Sequence, residues 1–68
     1  MTRPVSKTAV AKATAEVRKT AADLAWIARH PEADRPILLR FYATEMLAQA
    51  VGAAELANRM ANEIEEAS

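Results

Sequence analysis

The chain has 68 residues, among them 17 Ala, 18 charged side chains, one Gly, one His and no Cys. That length holds at most one domain, with a small core and no disulfide to brace it. One His without Cys cannot assemble a structural zinc site within a single copy.

No run approaches the roughly 18 apolar residues that a membrane span needs. The N-terminus lacks the basic, then apolar, then small-residue order of a secretory leader. The expected compartment is therefore the cytoplasm, with no membrane partner. Abundant Ala and scarce Gly favour helix. Arg outnumbers Lys six to three, a bias that fits a GC-rich bacterial or phage genome.

The first predicted helix covers residues 5–29. Pro4 fits a first turn, where its missing N–H costs nothing, and Thr2 or Ser6 can cap the start. Val10, Ala13, Val17, Ala21, Leu24 and Ala28 recur at spacings of three and four and form one apolar line. Thr8, Ala11, Ala15, Ala22, Ala25 and Trp26 project to the far side. Ala is ordinary helix filler there, but Trp26 is a large apolar group that a lone hairpin leaves in water.

Residues 30–34 are the predicted turn. Pro31 pushes His30 out of the helical region, and Asp34 reads as the N-cap of the next helix, with Pro36 in its first turn. His30 has Glu32 and Asp34 nearby, yet the spacing matches no metal motif. The expected role of His30 is to end the helix, where a cation suits the dipole. No metal and no cofactor is expected.

The second predicted helix covers residues 35–66. Leu39, Ala43, Met46, Ala50, Ala53, Ala57, Met60 and Ile64 follow an unbroken alternation of four and three, read here as the dimer seam. Leu38, Tyr42 and Leu56 flank one edge of that seam, and Leu47, Val51 and Ala54 flank the other. This arc is wider than one neighbouring helix can cover. Glu63, Glu65 and Glu66 crowd the C-terminal end, where carboxylates oppose the dipole, so fraying is expected after about residue 64.

The fold class that follows is all-α: a two-helix antiparallel hairpin that dimerises into a four-helix bundle. Its two halves differ in charge. Residues 1–31 carry net +4 and residues 32–68 net −4, which favours self-association of opposite ends over nucleic-acid binding. Arg3, Lys7, Arg18 and Arg29 still fall within about 80° around the first helix and form a candidate nucleic-acid contact. Trp26, Phe41 and Tyr42, the three aromatic residues, gather near the turn and form a candidate protein-binding spot.

In length and topology alone, the hairpin resembles the Rop-type helical hairpins, which dimerise into four-helix bundles and bind RNA. No recognition motif is shared, so the resemblance implies no residue roles. Glycine-rich phosphate loops, a Cys nucleophile and a Glu-x-x-His motif are all missing. The functional expectation is a non-enzymatic homodimeric interaction module, a regulator or adaptor of phage or prophage type. The alternative is a nucleic-acid-binding bundle that uses the basic face of the first helix.

Overall fold

The structure, a computed structural model, describes residues 3–30 and 35–68. It contains two helices, α1 (Lys7–Arg29) and α2 (Arg35–Ala67), packed against each other as a hairpin. Val5 meets Glu63 and Thr20 meets Gln49, so one helix rises as the other descends. The result is a rod with Cα extents of 53 × 16 × 15 Å.

The ends of α1 are set by side chains. Ser6 stays extended (φ −85°, ψ 153°), and its hydroxyl accepts the Ala9 N–H at 3.0 Å. Ser6, rather than Thr2, is thus the observed cap; Thr2 lies outside the described residues. At the other end, His30 leaves the helical region (φ −112°, ψ 99°), as a residue before proline should. Its backbone N–H returns to the Ile27 carbonyl at 3.2 Å, and its ring Nδ1 donates to the Trp26 carbonyl at 2.7 Å. Two of the carbonyls that a helix end leaves orphaned are thereby satisfied.

The expected N-cap at Asp34 lies outside the described residues, as do Pro31 and Glu32. Pro36 is the second residue of α2, where no intrahelical donor is required of it. In the structure α2 is helical to Ala67, past the residue 64 at which fraying is expected to begin. Glu63 is tied down by accepting the Val5 N–H at 2.9 Å, and the Ser68 hydroxyl donates to the Ile64 carbonyl at 2.9 Å. These two bonds hold the last turn against the unfavourable glutamates.

The interface between the helices is a pair of heptad lines. On α1 it runs through Val10, Ala13, Val17, Thr20, Leu24 and Ile27, all buried or half-buried. On α2 it runs through Leu39, Tyr42, Met46, Gln49, Ala53, Leu56, Met60 and Glu63, all half-buried. The centre of the α1 line therefore falls on Thr20 and Ile27 rather than on the expected Ala21 and Ala28. Thr20 and Ile27, 7% and 5% exposed, are the buried side chains among the described residues.

At mid-length the Thr20 hydroxyl donates to the Gln49 side-chain carbonyl at 2.6 Å. A single polar pair on an apolar seam penalises sliding, because any other register leaves both groups without partners.

Candidate interaction surface

The heptad lines divide the rest of the rod into two broad sides. In a right-handed helix each step turns about 100°. In an antiparallel pair, the residues one step after the interface lines of both helices project to the same side. On α2 that set is Arg40, Ala43, Leu47, Ala50, Ala54, Ala57, Ala61 and Ile64. On α1 it is Ala11, Thr14, Arg18, Ala21, Ala25 and Ala28.

Leu47 and Ile64 stand 66% and 63% exposed on this side, with half-exposed Val51 beside them. The Thr14 hydroxyl is satisfied by the Val10 carbonyl at 2.7 Å, so it adds no unmet polar group to the surface.

The opposite side holds the residues one step before the lines. It presents Lys12, Glu16, Lys19 and Asp23 from α1, and Glu45, Glu55 and Arg59 from α2, all exposed. Opposite charges recur four residues apart within each helix, a spacing that supports helix in water. The rod thus has one side suited to solvent and one suited to packing.

The predicted dimer seam is split by this geometry. Leu39, Met46, Ala53 and Met60 lie on the interface line with α1, and Ala50 is half-buried at its edge. Ala43, Ala57 and Ile64 point away from α1 and are exposed. Of the two flanking edges, Leu38, Tyr42 and Leu56 turn toward α1, while Leu47, Val51 and Ala54 face outward.

Trp26 and Phe41 sit at the turn end on the charged side, and Tyr42 adjoins them on the interface line. Trp26 is 51% exposed and stacks on His30, with ring centroids 4.0 Å apart. Phe41, also exposed, meets Tyr42 edge-on at 5.4 Å. Asp23, Trp26, Ile27, Leu38 and Tyr42 line an open pocket of about 280 Å³. The structure therefore brings Trp26 and Tyr42 to one hollow and places Phe41 at its side.

Arg3, Lys7, Arg18 and Arg29 are all exposed and form no ion pair among the described residues. By the same rotation Lys7 and Arg18 fall on the packing side, while Arg29, two steps past Ile27, points away from α2. Among the described residues no group of three or more His, Cys, Asp or Glu side chains could hold a metal ion. Among the same residues, no helix is long and apolar enough to cross a membrane.

Sequence reasoning missed the Thr20–Gln49 pair. The available signal was the position of both residues within heptads: Thr20 lies between Val17 and Leu24, and Gln49 between Met46 and Ala53. No family model matches the chain, and neither a curated protein nor a solved structure matches it.

Proposed function

We propose that the protein is a small, non-enzymatic, cytoplasmic interaction module that works as a homodimer, two hairpins closing into a four-helix bundle. One observation carries the reading. On the α2 half of the packing side, Leu47 and Ile64 stand about two-thirds exposed with only alanines at the stripe positions between them, and a single hairpin gives them no cover. Contiguous apolar surface of this kind marks an association site. Covering a Leu or Ile side chain fully contributes roughly 1.5–3 kcal/mol. Several such side chains, with the alanines between them, must together exceed the entropic cost of association.

The dimer would then present two copies of the hollow bounded by Trp26 and Tyr42, with Phe41 beside it, to another protein. Exposed aromatic side chains beside a pocket are the usual anchors of such contacts.

Sedimentation equilibrium at micromolar concentration tests the reading. The expected mass is twice the 7.4 kDa of one chain, and Leu47→Glu is expected to lower the association constant at least tenfold. A folded, stable monomer would sink the proposal.

A second reading draws on the exposed Arg3, Lys7, Arg18 and Arg29. A bundle that binds nucleic acid through these groups would lose affinity steeply with rising salt, and Arg18→Glu with Arg29→Glu would abolish binding. An adaptor that docks by apolar contact would show neither effect.

A further inference from the structure

We propose that the hollow at the turn end is a docking site for an arginine side chain of a partner protein, held by the rings of Trp26 and Tyr42 and the carboxylate of Asp23. This rests on the reading of the protein as an interaction module and names the chemistry of the partner; it does not depend on the dimer.

Size narrows the choice first. At about 280 Å³ the hollow falls just below the roughly 300–1,000 Å³ of sites that enclose a small molecule. It suits one long side chain. Ile27 and Leu38 give it apolar wall, and Trp26 and Tyr42 give it aromatic rings. His30 stacks on the indole with centroids 4.0 Å apart, yet His30 does not line the hollow. The indole surface turned to the hollow is therefore one that His30 leaves uncovered.

Charge at the rim then selects the occupant. With Thr20 level with Gln49, three residues forward on α1 match three residues back on α2, so Asp23 is level with Met46. Glu45 adjoins Met46 and, like Asp23, stands one step before its interface line. Two carboxylates thus share one side of the rod at nearly one level. Both are exposed, and neither makes a hydrogen bond or ion pair among the described residues. Lys19, one turn before Asp23, is the nearest described cation on that side, so negative charge is in excess. An apolar side chain seated here would strip water from Asp23 without replacing its hydrogen bonds. A cation satisfies the carboxylate and the rings together, since aromatic faces attract positive charge.

Among cationic side chains, arginine fits best. Its flat guanidinium stacks on an indole and still offers N–H groups at its edge to a carboxylate. Its methylene stem can lie along Ile27 and Leu38. The ammonium of lysine is compact and more strongly hydrated, so it loses more on leaving water.

The chain has a single Trp, so one indole N–H resonance reports on the hollow. The full chain is titrated with the blocked tripeptide Gly-Arg-Gly at constant ionic strength, and a saturable shift of that resonance is expected. The same tripeptide with lysine, or with citrulline, which keeps the shape of arginine and loses its charge, is expected to bind at least threefold more weakly. Asp23→Asn is expected to weaken binding of the arginine tripeptide about threefold, within the range of an exposed ion pair. Glu55→Gln, on the same side but about three turns beyond Glu45, should leave it unchanged.

No saturable shift, equal binding of the citrulline tripeptide, or indifference to Asp23→Asn would overturn the proposal. Tighter binding of the lysine tripeptide would overturn the choice of arginine. None of these results touches the homodimer, which the sedimentation mass decides on its own.

Discussion

Thr20 and Gln49 carry the most specific information of any two residues in the hairpin. Their 2.6 Å bond crosses the interface at its middle, where apolar neighbours cannot replace a lost partner. Gln49→Leu leaves the Thr20 hydroxyl stranded at 7% exposure, and Thr20→Val leaves the Gln49 carbonyl without its donor. Each single change is expected to cost about 1–3 kcal/mol, the desolvation penalty of an unpaired group. The double change should cost less than the two singles together, by about 1 kcal/mol or more. Urea denaturation of the four proteins in a cycle measures this coupling. Strict additivity would show that the bond contributes nothing.

At the scale of the helix, α2 contains one internal concession, Gly52. It has helical backbone with no positive φ, and a Cβ built there meets nothing within 4 Å. Gly52→Ala is therefore expected to stabilise the protein by up to about 1 kcal/mol, the propensity difference between the two residues. In a domain of this size that raises Tm by about 4–8 °C per kcal/mol, readable by circular dichroism. Ser6→Ala acts in the opposite sense, because the Ala9 N–H loses its acceptor. A loss of about 1 kcal/mol is expected from the same melts.

The helices themselves were legible in the sequence. Pro31 and Pro36 bracket the break, Ala fills both spans, and the spacing of large apolar residues gives the period. The rotation of α2 was less legible. The line read from the sequence threads between two heptad lines, sharing Leu39, Met46, Ala53 and Met60 with the inner one and Ala43, Ala50, Ala57 and Ile64 with the outer region. Alanine suits core and surface equally, so it says little about which side faces inward. Tyr42 and Leu56, larger and able to fill the gap to α1, decide the matter, together with the Thr20–Gln49 bond. On the candidate site, Trp26 stands half exposed one step before the interface line, lining a hollow with Leu38 and Tyr42 of α2 rather than lying on the far side of α1. Its pocket with Asp23 and Leu38 was not legible, because the hollow depends on how the two helices are juxtaposed.

The whole molecule is a rod 53 Å long and only 16 × 15 Å across, with almost every large apolar group partly wet. Such a shape has two surfaces per helix and only one neighbour to cover them. Stability should therefore depend on chain concentration, because association adds its free energy to folding. Thermal melts over a hundredfold range of concentration are expected to show Tm rising with concentration. A Tm that is constant across that range would mean that the hairpin is self-sufficient.

The bond from the Val5 N–H to Glu63 pins the start of the chain beside the end of α2, at 2.9 Å. This proximity bears on connectivity. A short glycine-serine bridge could join residues 3 and 68 there, and the connection between α1 and α2 could be cut to provide new ends. A circular permutant of that kind would keep every interhelical contact while reversing the order in which the two helices leave the ribosome.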